Sequence, residues 1–109
     1  MELKPGIKLI SESEGNGSPV KKGDKVTARL NGWLNQGDVI QENDICEIIV
    51  GSRTTIPGIE YSLEGMKPAG KRKVKISPHL AYRDNGINKL IPPNAVLIYE
   101  IEVLDIVRI

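Results

Sequence analysis

The chain has 109 residues, with 15 Lys plus Arg against 14 Asp plus Glu and a formal net charge of +1. That length suits one domain able to bury its own core without disulfides or metals. The near balance of charge excludes the broad basic footprint of a nucleic-acid binder or of a protein held on an anionic membrane, and leaves a neutral peptide or protein as the partner class.

With no Phe, one Trp and three Tyr, the core must be built from Ile, Leu and Val. Cys46 is the only cysteine, so it has no internal disulfide partner, and its place between Ile45 and Glu47 in an apolar run reads as a small buried hydrophobe. No apolar stretch approaches the roughly 20 residues of a membrane span, and Met1 to Ile10 lacks the basic segment and apolar core of a signal peptide. A cytoplasmic monomer without membrane contact is the expectation.

In chain order, Ile7 to Ile10 reads as a short strand, and Glu12 to Gly23, rich in Ser, Gly, Glu and Lys, as a turn or loop. Val26, Ala28 and Leu30 then alternate with Lys25, Thr27, Arg29 and Asn31, the period of a strand with one buried face. Ile48 to Val50 is a second short run. Ile56, Ile59, Leu63 and Met66 recur at helical spacing, with Thr55 placed to cap, Pro57 tolerated in the first turn and Gly65 as a stop. A helix of about ten residues is marginal alone, so its apolar face must lie on a sheet. In Lys71 to Ser77, Arg72, Val74 and Ile76 share one face while Lys71, Lys73 and Lys75 form a solvated one. Val96 to Ile106 is the longest strand, with Leu97, Tyr99, Ile101 and Val103 opposite Glu100 and Glu102.

One-sided alternation of this kind belongs to antiparallel sheets. The fold class is therefore α+β: a curved antiparallel sheet of about five strands wrapped around one short α-helix. Residues 1–109 form a single domain, with 1–19 as an N-terminal strand and loop.

No apparatus for hydrolysis, redox chemistry or phosphoryl transfer is present. His79 is the only histidine, so a metal site or a nucleophilic triad would lack partners at any recognisable spacing, and a surface loop is its expected setting. Gly15 and Gly17 lie in a polar loop without the strand and helix of a phosphate cradle. No metal and no cofactor are expected.

What stands out is an ordered series: Val50-Gly51, Ile56-Pro57-Gly58-Ile59-Glu60, Leu63-Glu64-Gly65-Met66-Lys67, Gly70-Lys71-Arg72, Ile76-Ser77-Pro78, Ala81-Tyr82 and Leu90-Ile91-Pro92-Pro93-Asn94-Ala95. In this order and spacing the series resembles the FKBP family of peptidyl-prolyl isomerases, most strongly over residues 20–106. Arg29 to Leu34 and Gly37 to Ile40 match the family's second strand and turn more loosely. The loop between Pro78 and Pro92 is short and lacks the inserted flap of some bacterial relatives.

The resemblance implies a peptidyl-prolyl cis-trans isomerase that acts on X–Pro bonds of proline-containing peptides or unfolded proteins as a folding helper. The alternative is a non-catalytic module of the same fold that binds proline-containing segments. By the same resemblance, Ile59 forms the pocket floor where an indole is usual, and the amide of Ile56 and the hydroxyl of Tyr82 donate to substrate carbonyls. Leu30, Ile40, Ile48, Thr55, Ile91 and Tyr99 make the walls. Two departures stand together: Leu30 replaces a common tyrosine, and Gln41 replaces the aspartate that this tyrosine engages. The link from Gln41 to Cys46 is also shorter than usual, which is expected to reshape the pocket rim. Reduced turnover and poor affinity for macrolide inhibitors are the expected consequences.

Ile59 at helical spacing would pass as core without the resemblance; with it, floor and core are one role. Pro92 and Pro93 need only be a rigid entry to the last strand, and Trp33 is read as packing on the sheet, outside the site.

Overall fold

The computed structural model describes residues 2–53, 55–82, 86 and 90–108. Its strands are β1 (Glu2–Lys4), β2 (Ile7–Ser13), β3 (Lys25–Leu34), β4 (Val39–Ile49), β5 (Lys71–Ile76) and β6 (Leu97–Val107), with the helix α1 (Pro57–Leu63) between β4 and β5. Among the described residues these six strands form one antiparallel sheet in the order β1-β2-β5-β6-β3-β4.

The central strands are the ones whose alternation was plainest. In β3 each even position from Val26 to Leu34 is buried and each odd one is partly exposed. In β6, Leu97, Tyr99, Ile101 and Val103 are buried in step. These faces and α1 enclose one aliphatic core that includes Ile7, Ile48, Ile59, Leu63, Val74 and Ile76. On the opposite face, Arg29 bonds Glu102 at 2.9 Å, and Lys73 stands 5.6 Å from the Trp33 ring centroid. Trp33 thus packs on the outer side of the sheet, away from the core.

The sheet has one strand more than the expected five or so. β1 holds only Leu3 between exposed Glu2 and exposed Lys4, too little pattern to register as a strand. β4 is also far longer than Ile48 to Val50, and the reason is a bulge. Leu30 pairs with Asp44 and Gly32 with Gln41, so β4 carries one residue more than β3 in that interval. Asn43 takes a φ of 46°, and its N–H donates to Asn31 Oδ1 at 2.9 Å. The bulge changes which residues face inward and destroys the period of two. The link from Gln41 to Cys46 is continuous strand.

The helix spans Pro57 to Leu63, shorter than the expected ten or so residues, and Thr55 does not cap it. Ile56 is the N-cap residue and makes no side-chain cap bond. At the far end Gly65 has a φ of 85°, the left-handed geometry that ends a helix at little cost for glycine. Arg72 finishes that end: its guanidinium donates to the carbonyls of Ser62 at 2.9 Å and Glu64 at 3.0 Å, and to Glu12 at 2.6 Å. This is why a charged residue shares the inward face with Val74 and Ile76.

Candidate active site

The segment leading into α1 is held by a residue to which sequence reasoning gave no role. Glu60 is 5% exposed, and its carboxylate accepts N–H bonds from Gly51 at 2.7 Å, Thr55 at 3.2 Å and, at a longer 3.4 Å, Arg53. A buried carboxylate is tolerable only with such donors around it. Glu60 therefore fixes the turn that delivers Thr55 and Ile56 to the helix start. An acidic residue in the first helical turn, just after a polar stretch, was the available signal.

Ile56 has φ −62° and ψ 146°, and its carbonyl accepts from Ile59 at 3.1 Å and Glu60 at 3.3 Å. Among the described residues its own N–H has no acceptor. A helix start leaves such donors free, so this N–H is available to a ligand. Tyr82 follows the 3₁₀ turn Pro78–Leu80 and is half-buried against the core cluster. Its hydroxyl likewise has no partner among the described residues, and burial raises its pKa above the usual tyrosine value.

Across the sheet, Gln41, Gly32 and Tyr99 lie on one rung, with β3 in the middle. Because Gly32 has no side chain, the Tyr99 ring covers it; a Cβ there would lie 2.6 Å from Cζ and 2.7 Å from Cε1 of the tyrosine. The ring thereby reaches across β3, and the Tyr99 hydroxyl donates to Gln41 Oε1 at 2.6 Å. Gln41 Nε2 in turn donates to Asp44 Oδ2 at 2.7 Å. The pKa of the nearby Cys46 thiol is raised by burial first and by the Asp44 charge second. Burial, with smaller contributions from Tyr82, Cys46 and Asp44, pushes the Tyr99 hydroxyl well above its ordinary range.

The expected loss of a tyrosine contact at position 41 is therefore made good from another strand. Leu30 does not engage Gln41, but Tyr99 does, and an aspartate stands behind the glutamine at position 44. Cys46 is half-buried at the cluster edge, on the edge strand β4, so it is less enclosed than its apolar flanks implied.

The remaining expected site residues divide by depth. Leu30, Ile48, Ile56, Ile59, Ile91 and Tyr99 are buried in the core cluster, and Ile59 is only 1% exposed. Ile40, Gln41, Thr55 and Tyr82 are partly exposed and form the accessible part. His79 is exposed on the 3₁₀ turn, as expected for a surface histidine. In the loop between Pro78 and Pro92, residues 83–85 and 87–89 lie outside the described residues. Among the described residues no cluster of His, Cys, Asp and Glu is suited to a metal ion, and no helix is long and apolar enough to cross a membrane.

An open antiparallel sheet over one short helix defines a small α+β domain, with donors at the helix start and on a following tyrosine that have no partner among the described residues. The comparisons place it more narrowly: the model of the FKBP-type peptidyl-prolyl cis-trans isomerases matches residues 16–104. The chain is 32% identical over 105 residues to an FK506-binding protein of Neisseria meningitidis serogroup B, covering 93% of this chain and 96% of the relative. It is 33% identical over 106 residues to FK506-binding protein 1A of Neurospora crassa, covering 93% and 88%. FK506-binding protein 4 of Chaetomium thermophilum is 36% identical over 104 residues, where the match takes up 93% of this chain but 21% of the relative. The chain belongs to the FKBP-type peptidyl-prolyl cis-trans isomerase family.

Proposed function

We propose that this chain catalyses cis-trans isomerisation of X–Pro bonds in proline-containing or unfolded protein segments, and that it serves as a folding helper in the cytoplasm, acting as a monomer. The observation that carries the reading is the pair of uncommitted donors, Ile56 N–H and the Tyr82 hydroxyl, both packed against the cluster that contains Ile59. Rotation about a peptide bond faces a barrier of roughly 18–20 kcal/mol because conjugation gives C–N partial double-bond character. Twisting the amide removes that conjugation and lowers its polarity. An apolar wall of Ile40, Ile48, Ile59 and Ile91 then disfavours the planar ground state relative to the twisted one.

Ile56 and Tyr82 act by holding the carbonyls on either side of the proline, which confines the substrate to a twist-prone arrangement. Proton transfer is not part of this scheme, and the raised pKa of Tyr82 keeps its hydroxyl a donor across the neutral range. Only X–Pro bonds populate both isomers appreciably, which selects proline as the substrate. The test is acceleration of cis-trans exchange in X–Pro peptides by the chain and by Tyr82→Phe. Loss of one neutral hydrogen bond is expected to lower kcat/KM about five- to tenfold. No acceleration by the unaltered chain would remove the enzyme reading.

A second reading rests on Ile59, which is 1% exposed. A floor so covered favours a module that binds proline segments at the rim of Ile40, Gln41, Thr55 and Tyr82 without turnover. Saturable peptide binding with no acceleration distinguishes it. The small aliphatic floor also supports weak binding of FK506, the ligand in the relatives' names.

A further inference from the structure

A separate cleft of about 600 Å³ runs along the outer face of α1. Its helical wall is Pro57, Glu60, Tyr61 and Glu64, and its far side includes Lys22, Arg53 and Thr55. Thr55 and Pro57 flank Ile56, so the cleft begins one residue from the proposed carbonyl donor. Extended peptide advances about 3.3–3.6 Å per residue, so one to three residues from a proline held at Ile56 lead into it.

The charges in this cleft are unequally committed. Glu60 is buried and accepts three loop amides, and Glu64 has Lys4 Nζ at 3.9 Å. Lys22 and Arg53, in contrast, have no carboxylate partner among the described residues. The Lys22 stem and the Arg53 backbone are held in place. The Lys22 stem lies over Gly51, where a Cβ would be 2.8 Å from Lys22 Cγ, and the Arg53 backbone sits in the turn that Glu60 pins. Two cations without a carboxylate partner among the described residues, beside committed carboxylates, present a net attraction for an anion. A guanidinium in such a place matches a carboxylate bidentately.

We infer that this cleft is a specificity subsite that takes an acidic side chain of the substrate within three residues of the X–Pro bond. The inference rests on the proline-segment reading above but needs no turnover. It commits to a peptide carboxylate; a small free anion would leave the Tyr61 face and most of the cleft volume unused.

The test compares peptides that differ only by Glu, Gln or Lys at each position up to three residues on either side of X–Pro. Both kcat/KM and Kd are measured at low ionic strength, the latter from amide shifts of residues 51–64. Glu is expected to be preferred over Lys about three- to tenfold on one side of the bond, the size that one or two exposed ion pairs supply, and the preference should shrink in high salt. Lys22→Gln with Arg53→Gln should bring the ratio close to one, and Lys22→Glu with Arg53→Glu should invert it. A ratio near one in the unaltered chain, a ratio that survives the paired Gln changes, or no peptide binding at all overturns the subsite. Equal acceleration of every peptide sinks the subsite alone. Preferential binding of the Glu peptides without acceleration keeps it and sinks the isomerase reading.

Discussion

Direction matters in the Tyr99–Gln41–Asp44 chain, and Asp44 sets it. An ionised carboxylate only accepts, so the Gln41 amide nitrogen must face it, which turns Oε1 toward Tyr99 and makes the tyrosine the donor. The Tyr99 proton is thus committed to Gln41, whereas the Tyr82 hydroxyl has no hydrogen-bond partner among the described residues. The arrangement depends on Gly32. Gly32→Ala would push a methyl into the Tyr99 ring, and overpacking of this kind costs about 1–3 kcal/mol. Urea denaturation is the check, with Tyr99→Leu as a second background that removes the clash; if Gly32→Ala costs as much there, the ring contact is not the cause. The burial of Tyr99 was legible in the alternation of its strand, but its bond to Gln41 was not. It requires three residues far apart in sequence to meet on one rung, the middle one having no side chain.

At the scale of elements, what could be read from sequence follows burial. β3 and β6 pair with strands on both sides, and one face is buried along all of β3 and along β6 from Leu97 to Val103, so the alternation there survives in the residue order. β4 is an edge strand with Ile45 55% exposed and a bulge at Asn43, so neither face keeps a clean pattern. The helix was found from its apolar spacing, but its start was assigned to the wrong residue. Thr55 is a good capping type by propensity, yet its N–H is drawn to Glu60, and the chain enters the helix one residue later. Glu60→Ala is expected to destabilise the fold by about 3 kcal/mol, since hydrogen bonds to a charged group contribute roughly 1.5–3 kcal/mol each and the freed loop amides regain water in part. It should also loosen the turn that places Ile56, raising KM for X–Pro peptides more than equal destabilisation by a remote core change such as Val103→Ala. A Glu60→Ala chain with an unaltered midpoint would mean that the turn is held by something else.

For the whole molecule, alkaline pH is the condition to which these buried hydroxyl and thiol groups make the fold sensitive. Cys46, Tyr82 and Tyr99 all have pKa values raised chiefly by burial. In the unfolded chain the thiol releases its proton near pH 8.5 and the tyrosines near 10. The folded chain keeps these protons to higher pH, so above those values the unfolded state binds fewer protons than the folded one. Stability must then fall as pH rises, while below about pH 8 these groups contribute no slope. Urea midpoints are expected to be level between about pH 7 and 8 as far as these groups decide it, to decline gently as the thiol range is crossed, and to drop steeply above about pH 10. Exposed lysines lose charge in the same alkaline range, so the discriminating measurement is the slope in a Tyr82→Phe, Tyr99→Phe chain, which lacks both phenols but keeps every lysine. That slope should be visibly shallower above about pH 10. Identical slopes would assign the alkaline loss to the surface ion pairs instead, and would mean that the two phenols ionise as readily in the fold as in water.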